Sequence, residues 1–173
     1  APQVDFTANG SSSDVKLGQT AAELGKFKIT NNNSDQTVTL KSLTLEEVGT
    51  IDENTELKNF ALYIDGVQFG STVASTMNKY VTFTSAAGKV INTNNNVKLV
   101  IKADIIGGAG KTVRFELDNE LDVIADGSKF GAGVGTVLGA GSALFTRDIT
   151  DIWDNPIVNA MNNADDSLRE NLP

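Results

Sequence analysis

The sequence predicts an all-β protein: an antiparallel β-sandwich of Greek-key or jelly-roll-like type, followed by a short tail that is helical or extended. Three observations predict it. Short runs alternate apolar and polar residues, as strands with one dry face and one wet face do. Clusters of Asn, Asp, Ser and Gly separate these runs, and such residues make turns because they bond their own backbone or tolerate positive φ. No helical pattern is interleaved between the strands, which argues against an α/β fold.

The pattern is organised around residues 24–45. Phe27 and Ile29 alternate with Lys26 and Lys28, turn formers fill 31–35, and alternation resumes at Val38 and Leu40. This reads as two strands of a hairpin. The apolar phase then slips to Leu43 and Leu45, which predicts a bulge near Lys41 or Ser42, or a strand crossing from one sheet to another.

The chain opens with Pro2, Val4, Phe6 and Ala8 on one side and Gln3, Asp5 and Thr7 on the other. A Gly/Ser-rich link over 9–14 ties this run loosely to the body. A strand tethered in that way either folds back as an edge strand of its own sandwich or is donated to a neighbouring molecule. In the second case main-chain bonds bind it and alternate side chains fill pockets.

A short strand and the first organising strand fall in 15–30, and 46–59 is acidic and turn-rich. Asp65-Gly66 is the preferred pair for a two-residue type I′ turn. That register sets Ile64 opposite Val67 and Leu62 opposite Phe69, four apolar side chains on one face. Strands follow over 79–84, with Val81 and Phe83 inward, and over 97–105, where Leu99, Ile101, Ala103 and Ile105 alternate with Lys98 and Lys102. Another carries Val113, Phe115 and Leu117 inward, and 121–125 is a further strand. The glycine-rich segment 126–142 holds a weak strand at 134–138, and 143–147 is the last strand of the body.

The tail changes period. Ile149, Ile152, Trp153, Ile157, Ala160, Met161, Ala164 and Leu168 recur at helical spacing. Asn155 as N-cap and Pro156 at the first helical position would start a helix there. So thin an apolar stripe must dock, on its own domain or on a partner. The chain thus divides into an N-terminal strand, 1–9, a sandwich body, 10–147, and a tail, 148–173.

Composition excludes several functions. A chain of 173 residues can bury one sizeable core. Its net charge of -8 repels a phosphate backbone, so nucleic acid is not an expected partner. Without Cys or His it has no zinc ribbon, no thiol chemistry and no Ser-His-Asp triad. No apolar run approaches the roughly 20 residues of a membrane helix. The Ala-Pro start without Met is that expected of a processed, secreted protein.

The remaining motifs are weak. Gly110-Lys111-Thr112 ends like a phosphate-binding loop, yet Ile105 stands where the first glycine is needed and a strand follows instead of a helix. Asp148, Asp151 and Asp154, with Asp118, Glu120, Asp122 and Asp126 upstream, offer hard oxygen ligands for calcium, but in no EF-hand spacing, and read as surface acids. Aromatic residues make up 6% of the chain, which leaves few platforms for sugars. No residue set points to catalysis, and no cofactor or metal is expected.

Residues 24–45, the strand Phe60-Ala-Leu-Tyr-Ile-Asp-Gly with Gly70-Ser-Thr beyond it, and Val97-Lys-Leu-Val-Ile-Lys-Ala-Asp104 together resemble a family of immunoglobulin-like modules. These modules recur in bacterial cell-surface and appendage proteins. The resemblance spans residues 2–125 and stops before the tail. It implies an immunoglobulin-like sandwich. A single module with two free extensions is similar to subunits of extracellular filaments that polymerise by strand donation. There, a body missing one strand has an open edge, and a neighbour's strand closes it. Used head to tail, such a contact propagates into a fibre.

The expectation is therefore a secreted, cell-surface homopolymer whose subunits meet through Pro2, Val4, Phe6 and Ala8, with Ile149, Ile152, Trp153 and Ile157 as second choice. The alternative is a monomeric adhesin or carbohydrate-binding sandwich.

Overall fold

The computed structural model describes residues 3–9, 14–117, 122–129, 135–138 and 147–150. Among them every regular element is a strand. The first sheet contains β1 (Gln3–Ala8), β3 (Ala22–Asn31), β5 (Leu57–Ile64), β6 (Val67–Val73), β8 (Asn95–Ile105) and β12 (Gly135–Leu138), in the order β12-β1-β3-β8-β5-β6. The second is centred on β4 (Val38–Glu47), which pairs with β7 (Tyr80–Ile91), β10 (Phe115–Glu116) and β11 (Val123–Gly127). A small third sheet joins β2 (Val15–Lys16), β13 (Arg147–Thr150) and β9 (Thr112–Val113). The protein is a β-sandwich, antiparallel except where β12 runs parallel to β1 and β13 parallel to β2.

Alternation places the core. Phe27, Ile29, Leu99 and Ile101 of the first sheet and Leu43, Leu45, Val81 and Phe83 of the second are buried, as their period-two spacing requires. The rings of Phe60 on β5 and Phe115 on β10 meet edge to face across the two sheets, 6.1 Å between centroids. The phase slip in β4 is a bulge. Leu40 and Ser42 oppose the adjacent residues Ala125 and Ile124 of β11, so Lys41 is the extra residue; its ammonium donates to the Ala86 carbonyl, in the stretch of β7 that is itself looped out between Thr84 and Lys89, while Leu40 and Leu43 both stay inside.

The Asp65-Gly66 turn has the expected positive φ values, 49° and 81°, and pairs Ile64 with Val67 and Leu62 with Phe69. One of the four side chains departs from expectation. Val67 is 69% exposed, because β6 is the outermost strand of its sheet and no described residue covers that end.

A larger correction concerns residues 24–45. β3 and β4 do not form a hairpin; they lie in different sheets, and residues 32–37 arch between them. Local alternation identifies strands but not their partners, and here the decisive contacts are distant. Asn31 is fully buried at the end of β3, and its amide nitrogen donates to the carbonyls of Gln36, 3.0 Å, and Ile91, 3.2 Å. Its side-chain oxygen accepts from the Asn33 backbone N–H at 3.0 Å. One asparagine thus pins the arch to the end of β7. A smaller difference follows the same logic: the expected strand through Val113 and Leu117 is divided into β9 and β10, which pair with different partners, while of the strand expected over 143–147 only Arg147 lies within the described residues, in β13.

Replacing Asn31 by Leu would leave two buried carbonyls without their donor. Asn31→Leu is expected to cost about 2–4 kcal/mol, measured as a lower urea midpoint with an unchanged slope.

Candidate functional site

The N-terminal strand is the segment that sequence reasoning singled out, and its geometry follows from the alternation of its residues. β1 lies antiparallel on β3, with Val4 opposite Asn31, Phe6 opposite Ile29 and Ala8 opposite Phe27. Val4 and Phe6 are both 0% exposed. The Phe6 ring packs on that of Phe27 with centroids 4.9 Å apart and planes tilted by 41°. On the other face, Asp5 accepts a 2.7 Å hydrogen bond from the Asn32 amide. Just past the strand, the Asn9 N–H donates to the Lys26 carbonyl at 3.0 Å.

Within one chain, then, β1 closes its own sandwich. It is not the edge strand expected of a folded-back terminus, because β12 pairs along its outer side, Gln3 to Phe6 against Gly135 to Leu138. The groove it fills is formed by the outer edge of β3 and by Phe27 and Ile29. Burying Val4 and Phe6 there is worth about 1.5–3 kcal/mol each.

Other expected interface residues are placed only in part. Pro2 lies outside the described residues, and Ala8 is placed by its backbone alone. Ile149 sits in β13, paired with Val15. Ile152, Trp153 and Ile157, with the helix expected near them, lie outside the described residues. Among the described residues no group of three or more Asp or Glu is placed to hold a metal ion, and no helix is long and apolar enough to cross a membrane.

Sequence reasoning missed Glu47. The signal was present: Glu47 continues the inward phase of Leu43 and Leu45. At the end of β4 it is fully buried. One carboxylate oxygen accepts from the backbone N–H groups of Gly49, 2.6 Å, and Arg114, 3.2 Å. The other, Oε2, has no hydrogen-bond partner among the described residues. Burial pushes its pKa up to about 7, against the pull of those two N–H groups, with the Glu53 carboxylate adding to the rise and Lys79 opposing it.

A buried acid of this kind makes stability fall as pH rises. Below the ordinary carboxyl value of 4.5 the group is neutral in the folded and unfolded chain alike; between 4.5 and about 7 the unfolded chain loses its proton first. Glu47→Gln should therefore stabilise the protein by on the order of 2 kcal/mol at pH 8 and have little effect at pH 4. Melting curves across that range check this, and a variant equally stabilised at both ends would contradict it.

No known protein family matches the chain, and no curated protein does. Among solved structures it is similar to the CooA pilin subunit from enterotoxigenic Escherichia coli. That match has 19% sequence identity and covers 86% of this chain and 99% of the other, with a TM-score of 0.34. Such a score lies below that of a shared fold, so any function must be argued from the geometry of β1.

Proposed function

We propose that the protein is a structural subunit of an extracellular filament, assembled head to tail by exchange of the N-terminal strand between copies. One observation carries this reading. β1 fills a groove with its own main chain and with two fully buried side chains, Val4 and Phe6, and what joins it to the body is the short link Gly10-Ser-Ser-Ser13.

Exchange of such a strand changes no contact. A neighbour's Val4 and Phe6 meet the same Phe27 and Ile29, and the same β3 edge is paired, so the energies of the closed and exchanged forms differ mainly in the link and in concentration. A short link favours opening. Used head to tail, with each copy giving its strand to the next, every added copy offers a new groove and the contact propagates, whereas a reciprocal exchange between two copies would close into a dimer. No cofactor takes part, and the partner is a second copy of the chain.

The test uses a lock. Thr7 and Lys28 are directly opposed on the outer face of the β1–β3 ladder, at a separation typical of disulfides, about 5.5 Å between Cα atoms. The chain has no cysteine of its own. With Thr7→Cys and Lys28→Cys together, the oxidised protein should remain a folded monomer under negative-stain microscopy and size-exclusion chromatography. Reduction should restore filaments. Filaments from the oxidised monomer would overturn strand exchange, and a monomer in both states would favour the adhesin or carbohydrate-binding reading.

A further inference from the structure

β6 and β7 are the outer strands of the two sheets on the flank away from β1. In mid-strand they meet backbone to backbone. Gly70 has φ +72°, and a Cβ there would lie 2.5 Å from the Thr84 carbonyl oxygen. Beyond Val73 they part and leave a cleft of about 490 Å³, lined by Val73, Met77, Tyr80 and Val81 with Ser75 and Thr82. Met77 stands 77% exposed at its mouth.

The lip of this cleft is a tight turn. Met77 and Tyr80 exchange backbone hydrogen bonds of 2.8 and 2.9 Å, and the two residues between them, Asn78 and Lys79, have φ of 50° and 75°. Glycine is the default at the second position of such a turn. Here an exposed lysine is held there against its preference.

Charge sets this flank apart. From Gly66 to Ile91 the only charged residues are Lys79 and Lys89, in a chain of net charge -8. The segment after β13 is the opposite. Over 151–173 it carries Asp151, Asp154, Asp165, Asp166 and Glu170 against a single Arg169, together with Ile152, Trp153, Ile157 and Met161.

The fold brings the start of that segment to the same end of the sandwich. β13 pairs with β9, and Thr112 of β9 accepts from the Ile51 N–H at 2.9 Å. Asn54, in the same loop as Ile51, accepts from the Thr76 hydroxyl at 2.9 Å beside the cleft. One loop therefore separates β13 from the cleft. Ile157 is seven residue steps beyond Thr150, a reach of up to about 23 Å if extended.

We propose that the β6–β7 cleft takes the apolar residues of the chain's own segment 151–173, with Lys79 facing the carboxylates that flank them. The cleft has the size of a site that buries a large side chain. Docking covers Met77 and the apolar lining, and brings carboxylates to the solvent side of Lys79, whose other near acid is the buried Glu47 at the end of β4. It is independent of the exchange of β1, which lies on the far side of the first sheet from β6, between β12 and β3.

Paired cysteines in the full chain test it. Met77→Cys with Ile157→Cys places one thiol at the mouth of the cleft. Ile124→Cys with Ile157→Cys is the control, since Ile124 is 54% exposed on β11, on the other side of β4 from β7. Under mild oxidation the first pair should close within single chains about tenfold faster than the control, through the higher effective concentration of docked partners. Lys79→Gly, which relieves the turn and should not lower the melting temperature, should slow that closure. Equal rates for the two pairs would overturn the proposal. So would disulfides formed only between chains, which would assign the cleft to the segment of a second copy.

Discussion

The outer edge of β3 is the constraint on which the rest of the structure depends. Its backbone groups must be paired, and Phe27 and Ile29 must be covered, or the sandwich has an open seam along its core. β1 does both, through the ladder from Val4 to Ala8 and through the Phe6–Phe27 ring contact. Within one chain β1 closes this seam, and in the exchange proposed above the same seam would take an identical strand from a second copy. Whether such a protein is a monomer or a polymer is then decided by the link and by concentration, and hardly by the contacts themselves.

The rest of the chain keeps that seam in place. The bulge at Lys41 lets one long strand hold Leu40 and Leu43 on the same side, and a comparable register shift between Glu23 and Gly25 does so for Leu24 and Phe27 in β3. Asn31 fixes where β3 ends and where the chain leaves for the second sheet. At the far end of β4, Glu47 ties the last turn of the strand to the backbone of Gly49 and Arg114 at the cost of a buried, half-satisfied carboxyl group. The strained turn at Asn78 and Lys79 sits beside it, since the Lys79 carbonyl accepts from the Glu47 N–H at 2.8 Å.

What was legible in the sequence was whatever is decided within a few residues. The Asp65-Gly66 turn fixed its own register, because a two-residue turn leaves no choice, and the inward faces of β7 and β8 followed from their period of two. The bulge at Lys41 was visible as a broken phase. Pairing between distant strands was not legible. Nothing near Asn31 reveals that its amide will bond the carbonyl of Ile91, so an arch between sheets was read as a hairpin. Likewise the parallel pairing of β12 along β1 joins residues more than a hundred positions apart, through a glycine-rich segment with little pattern of its own. Val4 and Phe6 were found because alternation marks them as inward-facing. Glu47 was passed over because its charge outweighed the phase it shares with Leu43 and Leu45.

The most direct test of strand exchange is where the Phe6–Phe27 contact falls in the assembled state. Filaments grown from an equal mixture of copies labelled only on Phe6 and copies labelled only on Phe27 can be examined by solid-state NMR. Exchange predicts a cross-peak between the two rings, because each Phe6 lies against the Phe27 of a neighbour. Filaments in which that contact arises only when both labels are on one chain would contradict it, and would mean that the subunits meet through another surface.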